Sequence, residues 1–278
     1  MRRICVITGG SSGMGFQAAK ILGNDYQIIL AARNEEKLIK ATNELKKLGI
    51  DSEYQMLDLS SKESIVNMVN NLKQKGNISI LLNCAGMSPH MGDYKKIIDA
   101  NAYGNVILNN MMLNIMKDGI IINVSSMSSY LTPAIVLPKR KYKIAFKNLE
   151  KFKKKLYNRC KLFPKNVRSG VAYGISKNFL TWFSIAFSIK AIEKNVRVIA
   201  VSPGNFSTPM GNLEENDAKK YIDESILKRN GDPKEIAYLF KSLIDSNNSY
   251  LTGIEIKCDG GVFAYKKNKK IINEIKGE

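Results

Sequence analysis

Histidine is almost absent: the 278 residues contain one, His90. A histidine relay and a cluster of histidine metal ligands are thereby excluded. Cysteine is scarce and scattered, at Cys5, Cys84, Cys160 and Cys258, with no CxxC pair. Neither a disulfide framework nor a zinc site is expected, and a reducing cytoplasm fits. No run of eighteen apolar residues occurs, so no membrane span is expected. The opening MRRICVITGG has two arginines, but its apolar run is too short for a secretory signal. Repeats are absent, and so is any disordered linker.

Acidic residues are outnumbered, 25 against 43 Lys and Arg, for a net charge of +18. The surplus is concentrated. Residues 139–161, KRKYKIAFKNLEKFKKKLYNRCK, hold eleven of the cations and one acid, Glu150, while the other 255 residues carry only +8. A generally nucleic-acid-binding surface is therefore not expected; one local feature is.

What is present is a core. Hydrophobic residues make up 44% of the chain, enough for one sizeable domain over residues 1–278. Short apolar runs at 3–7, 26–30, 53–57, 78–82, 119–124, 196–201 and 253–257 read as strands. Helical patterns lie between most of them, near 13–23, 34–48, 62–75, 94–116, 172–193 and 233–245. Leu38, Ala41, Leu45 and Leu48 show the spacing in one of these. The central runs are apolar on both faces, as strands of a covered parallel sheet are. The expectation is a doubly wound α/β, Rossmann-type fold with a seven-stranded parallel sheet. The tail 265–278 is expected to fray.

The first strand runs into TGGSSGMG, residues 8–15, and then a helix. Gly9, Gly13 and Gly15 allow a tight turn and close approach to a pyrophosphate, and the helix N-terminus offers free N–H groups to that anion. Ser11, Ser12 and Met14 complete the loop. The fourth strand closes in LLNCAG, whose Asn83, Ala85 and Gly86 present small groups to the adenosine side of such a ligand. Asp58, followed by Leu59, ends the third strand and either accepts from an adenine amine or caps the next helix.

These motifs, with Asn101 in NAYGN, Ser126 in NVSSM, YGISK at 173–177, SPG at 202–204, Thr208 and CDGG at 258–261, follow one another in a known order. The chain resembles the short-chain dehydrogenase/reductase family from residue 4 to about 263. The resemblance implies an NAD(P)-dependent oxidoreductase acting on a small alcohol or ketone. Tyr173 would exchange the hydroxyl proton. Lys177, one helical turn on, would place its charge by the phenolate and bind the nicotinamide ribose. Ser126 would hold the substrate oxygen, and Asn101 a relay water. Of the adjacent pair Ser125 and Ser126, the family pattern selects the second, and alternation turns Ser125 to the other face. Pro203, Gly204 and Thr208 would bind the cofactor, Thr208 at the nicotinamide carboxamide or at the phosphates. Ala32 stands where NAD enzymes carry an acid, and Arg33 follows, which favours NADP(H), with NAD(H) possible.

Ser126 and Tyr173 are 47 residues apart, far more than is usual in the family, and the basic stretch fills the gap. The insertion is placed near 133–169. Ala145, Leu149, Phe152, Leu156 and Cys160 predict an amphipathic helix with its lysines in water. The segment between Gly86 and Asn101 is short. The two features together resemble the bacterial 3α-hydroxysteroid dehydrogenase/carbonyl reductase branch, which implies a hydroxysteroid or bile-acid substrate, the latter anionic. Other readings of the insertion are a solvated cover, an oligomer contact or a surface for lipid. A homo-oligomer, taken as a dimer, is expected. His90 lies either at the substrate entrance or in an exposed loop.

Overall fold

The computed structural model describes residues 2–212, 219, 221–269 and 271. Its centre is a seven-stranded sheet, parallel throughout, in the order β3-β2-β1-β4-β5-β6-β7. The strands are β1 (Ile4–Thr8), β2 (Gln27–Ala32), β3 (Ser52–Met56), β4 (Ile78–Asn83), β5 (Gly119–Val124), β6 (Val196–Pro203) and β7 (Ile254–Cys258). Each lies within two residues of its apolar run. β1 and β4 are buried at every position, while the edge strand β3 is half exposed. This is the gradient expected from a sheet covered on both faces.

One face is covered by α1 (Gly13–Leu22) and α2 (Glu35–Lys47), together with a helix at Pro233–Ile244. Leu38, Ala41 and Leu45 are buried there, whereas Leu48 lies beyond the end of α2 and is exposed. The other face carries α3 (Lys62–Leu72), α4 (Tyr94–Ile98), α5 (Asn105–Ile115) and the long α9 (Arg168–Ala191). The helix expected over 94–116 is not continuous. Asp99–Gly104 forms a π turn between α4 and α5.

A short α6 (Ser128–Leu131) follows β5, and the insertion then folds on the second face as α7 (Lys139–Tyr142), a 3-10 turn (Lys143–Phe146) and α8 (Leu149–Lys161). The anticipated apolar face buries Phe152, Leu156 and Cys160 fully. Ala145 belongs to the 3-10 turn and not to the helix, because the Asn148 side chain accepts from Lys151 N–H (2.8 Å) and starts α8 afresh. Tyr142 and Phe152 stack edgewise and tilted on Phe179 of α9, with centroids 5.3 and 4.4 Å away. The insertion is thus part of the core. Of the tail, Val262–Lys267 is helical; residue 270 and residues 272–278 lie outside the described residues.

The chain reverses between β1 and β4, so the crevice of the sheet opens beyond their C-terminal ends. Thr8, Asn83 and Asn123 form one cross-strand row there.

Candidate active site

The crevice holds a cleft of ≈ 250 Å³. Its floor is the turn from β1 to α1. Gly9 and Gly13 adopt positive φ (65° and 57°), a conformation glycine reaches without strain. A Cβ on Gly15 would stand 2.7 Å from the Gly9 carbonyl oxygen, and one on Gly9 would stand 3.0 Å from Ala85 N. The turn therefore packs backbone to backbone against the end of β4. Ser11, Ser12, Met14, Arg33, Asp58, Leu59, Ala85, Gly86 and Thr208 all line the cleft. So do Lys37 and Asn34, which the motif reading passed over. Asn34 caps α2 by accepting from Lys37 N–H (2.8 Å), and this cap brings the first turn of α2 back beside Arg33. The elongated cleft, its open N-terminus of α1 and its two cations fit a dinucleotide lying from Arg33 to Gly86.

At the Gly86 end two candidate side chains, Asn101 and Lys177, come together, with the Tyr173 ring beside Lys177. Asn101 sits in the π turn, a distortion that often marks functional positions. Its Oδ1 accepts from Met87 N–H and its Nδ2 donates to Met87 O, both at 2.8 Å. A Cβ on Gly86 would lie 3.3 Å from both Asn101 Oδ1 and Lys177 Nζ. Lys177 is 6% exposed; it donates to Val124 O (3.0 Å) and lies 5.8 Å from the centroid of the Tyr173 ring. Tyr173 is half-buried. Ser126 Oγ accepts from Ser128 N–H (3.1 Å), which is compatible with donating its proton to a ligand. Ser125 points elsewhere. Its hydroxyl donates to Lys177 O (2.8 Å) and accepts from Thr181 Oγ1 (2.9 Å), fastening α9 to β5.

Two family models match this chain. One, described as short chain dehydrogenase, covers residues 3–138; the other, described as enoyl-(acyl carrier protein) reductase, covers 164–263. The chain belongs to the short-chain dehydrogenase/reductase family. It is an NAD(P)-dependent oxidoreductase acting on CH–OH groups. The two models leave 139–163 unmatched, which is the basic insertion. The chain is 27% identical to an uncharacterized oxidoreductase, YxbG, of Bacillus subtilis (strain 168), over 99% of this chain and 96% of that one. It is 25% identical to a short-chain dehydrogenase/reductase of Alternaria brassicicola, over 95% and 97%. Among solved structures it resembles an actinorhodin polyketide ketoreductase with NADPH (TM-score 0.75, 20% identity, 94% and 97% covered). A short chain dehydrogenase from Burkholderia cenocepacia J2315 in complex with NADP is similar in fold (TM-score 0.74, 18% identity, 94% and 97% covered).

In this short-chain dehydrogenase/reductase Asn83, Pro203 and Gly204 do not line the cleft, and neither do Asn101, Ser126, Tyr173 and Lys177. Asn83 is 1% exposed and does not line it. Its Oδ1 accepts from Thr8 Oγ1 (2.7 Å), and its Nδ2 donates to Asn105 Oδ1 and to Asn123 Oδ1 (2.9 Å). A buried amide must be paired, and here the pairing ties three strands and α5 together. Pro203 and Gly204 also fall outside the lining. Pro203 O accepts from Met127 N–H (2.8 Å), and a Cβ on Gly204 would lie 2.8 Å from Asp259 Cα. Thr208 instead abuts Gly13, whose Cβ would be 3.4 Å from the Thr208 Cβ. Asp58 keeps its place, but its carboxylate already accepts from Ser60 N–H (2.9 Å) and Ser60 Oγ (2.7 Å), and Ser61 caps α3.

His90 is exposed in a 3-10 turn, outside the lining residues. Cys84 lines the cleft, yet burial pushes its thiol up to about 12, against the opposing pull of Lys177. It is a poor nucleophile. No group of three or more metal-ligating side chains occurs among the described residues, and no described helix is long and apolar enough to cross a membrane.

Proposed function

We propose that the protein is an NADP(H)-dependent oxidoreductase that interconverts a secondary alcohol and a ketone, with a hydroxysteroid or bile acid as substrate. The observation that carries the reading is the meeting of Asn101 Oδ1 and Lys177 Nζ at Gly86, with Tyr173 on the same face of α9 as Lys177. When bound, the nicotinamide supplies or accepts the hydride. Ser126 donates to the substrate oxygen. Tyr173 gives its phenolic proton to that oxygen in reduction and takes it back in oxidation. The Lys177 ammonium lies close enough to favour the phenolate. Asn101 holds the water that returns a proton through Lys177.

NADP(H) is preferred because Arg33 and Lys37 both border the cleft at the first turn of α2, and Ala32 supplies no acid. Glu35, in the same turn, is engaged by the Tyr54 hydroxyl (3.2 Å). Arg33→Ala is expected to raise KM for NADP by about 10- to 100-fold, the worth of one charge-assisted contact, and to leave KM for NAD unchanged. Equal losses with both cofactors would refute the preference.

Met87 and Met91 give the cleft an apolar wall beside Gly86. The insertion reaches that wall, since Ser169 Oγ donates to Gly92 O (3.2 Å) and Arg168 lies 5.9 Å from the Tyr94 ring centroid. A shortened α4 and this bordering insertion support the steroid reading, and the lysines support an anionic one. The test is reduced-nicotinamide absorbance with a panel of hydroxysteroids, bile acids and simple secondary alcohols, with each cofactor in turn. Turnover of small alcohols alone sinks the steroid reading and leaves a carbonyl reductase of other ketones. Cofactor binding without any turnover favours a sensor.

We propose further that the enzyme is cytoplasmic and dimeric. Ile185, Ile189 and Ile192, exposed by 40%, 76% and 51%, form a stripe along the end of α9 that a second copy can cover. Ile189→Glu is expected to yield monomers in sedimentation velocity; a monomeric parent protein would refute the dimer.

A further inference from the structure

The insertion does more than cover apolar surface. From α8, Tyr157 donates its phenolic proton to Asp99, and Glu150 accepts the phenolic proton of Tyr103. Lys153 completes the second pair, 3.2 Å from Glu150 and 4.0 Å from the Tyr103 ring centroid. Asp99 and Tyr103 bracket Asn101, two residues away on either side, within the π turn. A π turn is rare and needs support from its surroundings. On the sheet side Asn105 supplies it, donating to Ala100 O and Asn101 O, both at 3.0 Å. On the solvent side α8 supplies it.

Exposed pairs contribute little, and Glu150 is exposed, but the groups it and Tyr157 hold are sheltered. Tyr103 is 7% exposed and Asp99 is half-buried, with burial raising the Asp99 carboxyl above its ordinary range. Phe152, Leu156 and Cys160 already dock the helix. The polar pairs add a fixed position for the two residues that flank Asn101. Asn101 in turn grips both backbone groups of Met87 at the cleft.

We infer that α8 is a clamp: the Tyr157–Asp99 and Glu150–Tyr103 hydrogen bonds hold the π turn so that Asn101 faces Lys177, which makes Tyr157 and Glu150 positioning residues of the reaction. The inference rests on the role given to Asn101 above. The segment that the family models leave unmatched is, on this reading, coupled to the proton path.

The test uses the full chain loaded with its nicotinamide cofactor. Tyr157→Phe/Glu150→Ala removes both hydrogen bonds and keeps the ring at 157. Glu150→Gln and Asp99→Asn keep an acceptor for each phenol and serve as conservative variants. With a ketone from the panel, the double variant is expected to lose about 10- to 100-fold in kcat, the scale of a misplaced catalytic group. KM and the cofactor Kd stay unchanged, and Glu150→Gln and Asp99→Asn, each made alone in the parent chain, retain most of the rate. In an Asn101→Ala background the double substitution has no further effect. Hydrogen exchange over 99–105 speeds up while β5 stays protected.

An unchanged kcat with unchanged exchange overturns the clamp, and so does an equal loss in the Asn101→Ala background, which marks a separate structural effect. If Asn101→Ala alone leaves kcat intact, the role of Asn101 has failed, and exchange over 99–105 decides whether α8 holds the turn. The same exchange comparison decides if no ketone is turned over.

Discussion

Tyr173→Phe is expected to lower kcat by about 10²- to 10⁴-fold, the usual worth of a positioned proton donor, while cofactor affinity and thermal stability stay close to the parent values. The substitution removes one oxygen and keeps the half-buried ring and its contact with Lys177, 5.8 Å from the centroid. No large cavity is created. A stability loss that tracks the activity loss would argue for a structural role instead. A rival phenol is Tyr130, two residues past Ser128. It donates to Asp259 (2.7 Å), and burial followed by that hydrogen bond holds its proton firmly. It is therefore a poor substitute, and full turnover in Tyr173→Phe would remove the proposed mechanism. Absorbance of the reduced nicotinamide, read beside cofactor titration and melting curves, separates these outcomes.

Gly104→Ala is expected to be the most damaging small substitution in the chain's π turn. A Cβ there would stand 1.9 Å from Leu59 O and 2.9 Å from Leu59 C. Both neighbours are backbone, so no side chain can move aside. Either the π turn retreats, carrying Asn101 with it, or the loop bearing Asp58 and Leu59 moves and the cleft deforms. Overpacking of this kind costs on the order of 3 kcal/mol, which in a chain of this size is a fall in Tm of roughly 6–12 °C. Cofactor affinity should fall with it. Gly170→Ala is the control. Gly170 lies in the first turn of α9 with nothing within 4 Å of its would-be Cβ, and alanine there should stabilise by about 0.4–1 kcal/mol. A Gly104→Ala protein that melts like Gly170→Ala would show that the approach to Leu59 is not tight in solution.

Most of the framework was legible because its signals are local. Runs such as ILL at β4 and III at β5 are apolar at successive positions, and only a strand covered on both faces needs that. The insertion was legible as an insertion from the distance between Ser126 and Tyr173. The break before α8 was not. Apolar spacing runs smoothly from Ala145 to Leu149, and the cap at Asn148 becomes visible only when its side chain is seen turned back to Lys151 N–H. The π turn was equally hidden. Ile98, Ala102 and Val106 continue a helical pattern through it, and a one-residue bulge leaves that pattern nearly intact.

Within the site, the division follows the same line. The glycine turn, Tyr173 with Lys177, and Ser126 could be named in advance, because each depends on conformational freedom or on spacing within one element. Lys37 could not, since its place beside Arg33 depends on how the first turn of α2 folds back over the end of β2.

The sequence by itself determined the order of strands and helices, the single fold they make, and the residue types able to bind a nucleotide and move a proton. Only the tertiary structure decided where each polar group is paired. Asn83, at the end of β4, and Asn101, inside the π turn, are both buried asparagines, at 1% exposure each. Asn83 is paired with Thr8, Asn105 and Asn123 inside the sheet, whereas Asn101 is paired with the backbone of Met87 and stands at Gly86 beside Lys177. The partners of Asn83 lie 75, 22 and 40 residues away. Propensity and periodicity act over a few neighbouring residues, but a buried amide is satisfied by whatever the folded path brings beside it.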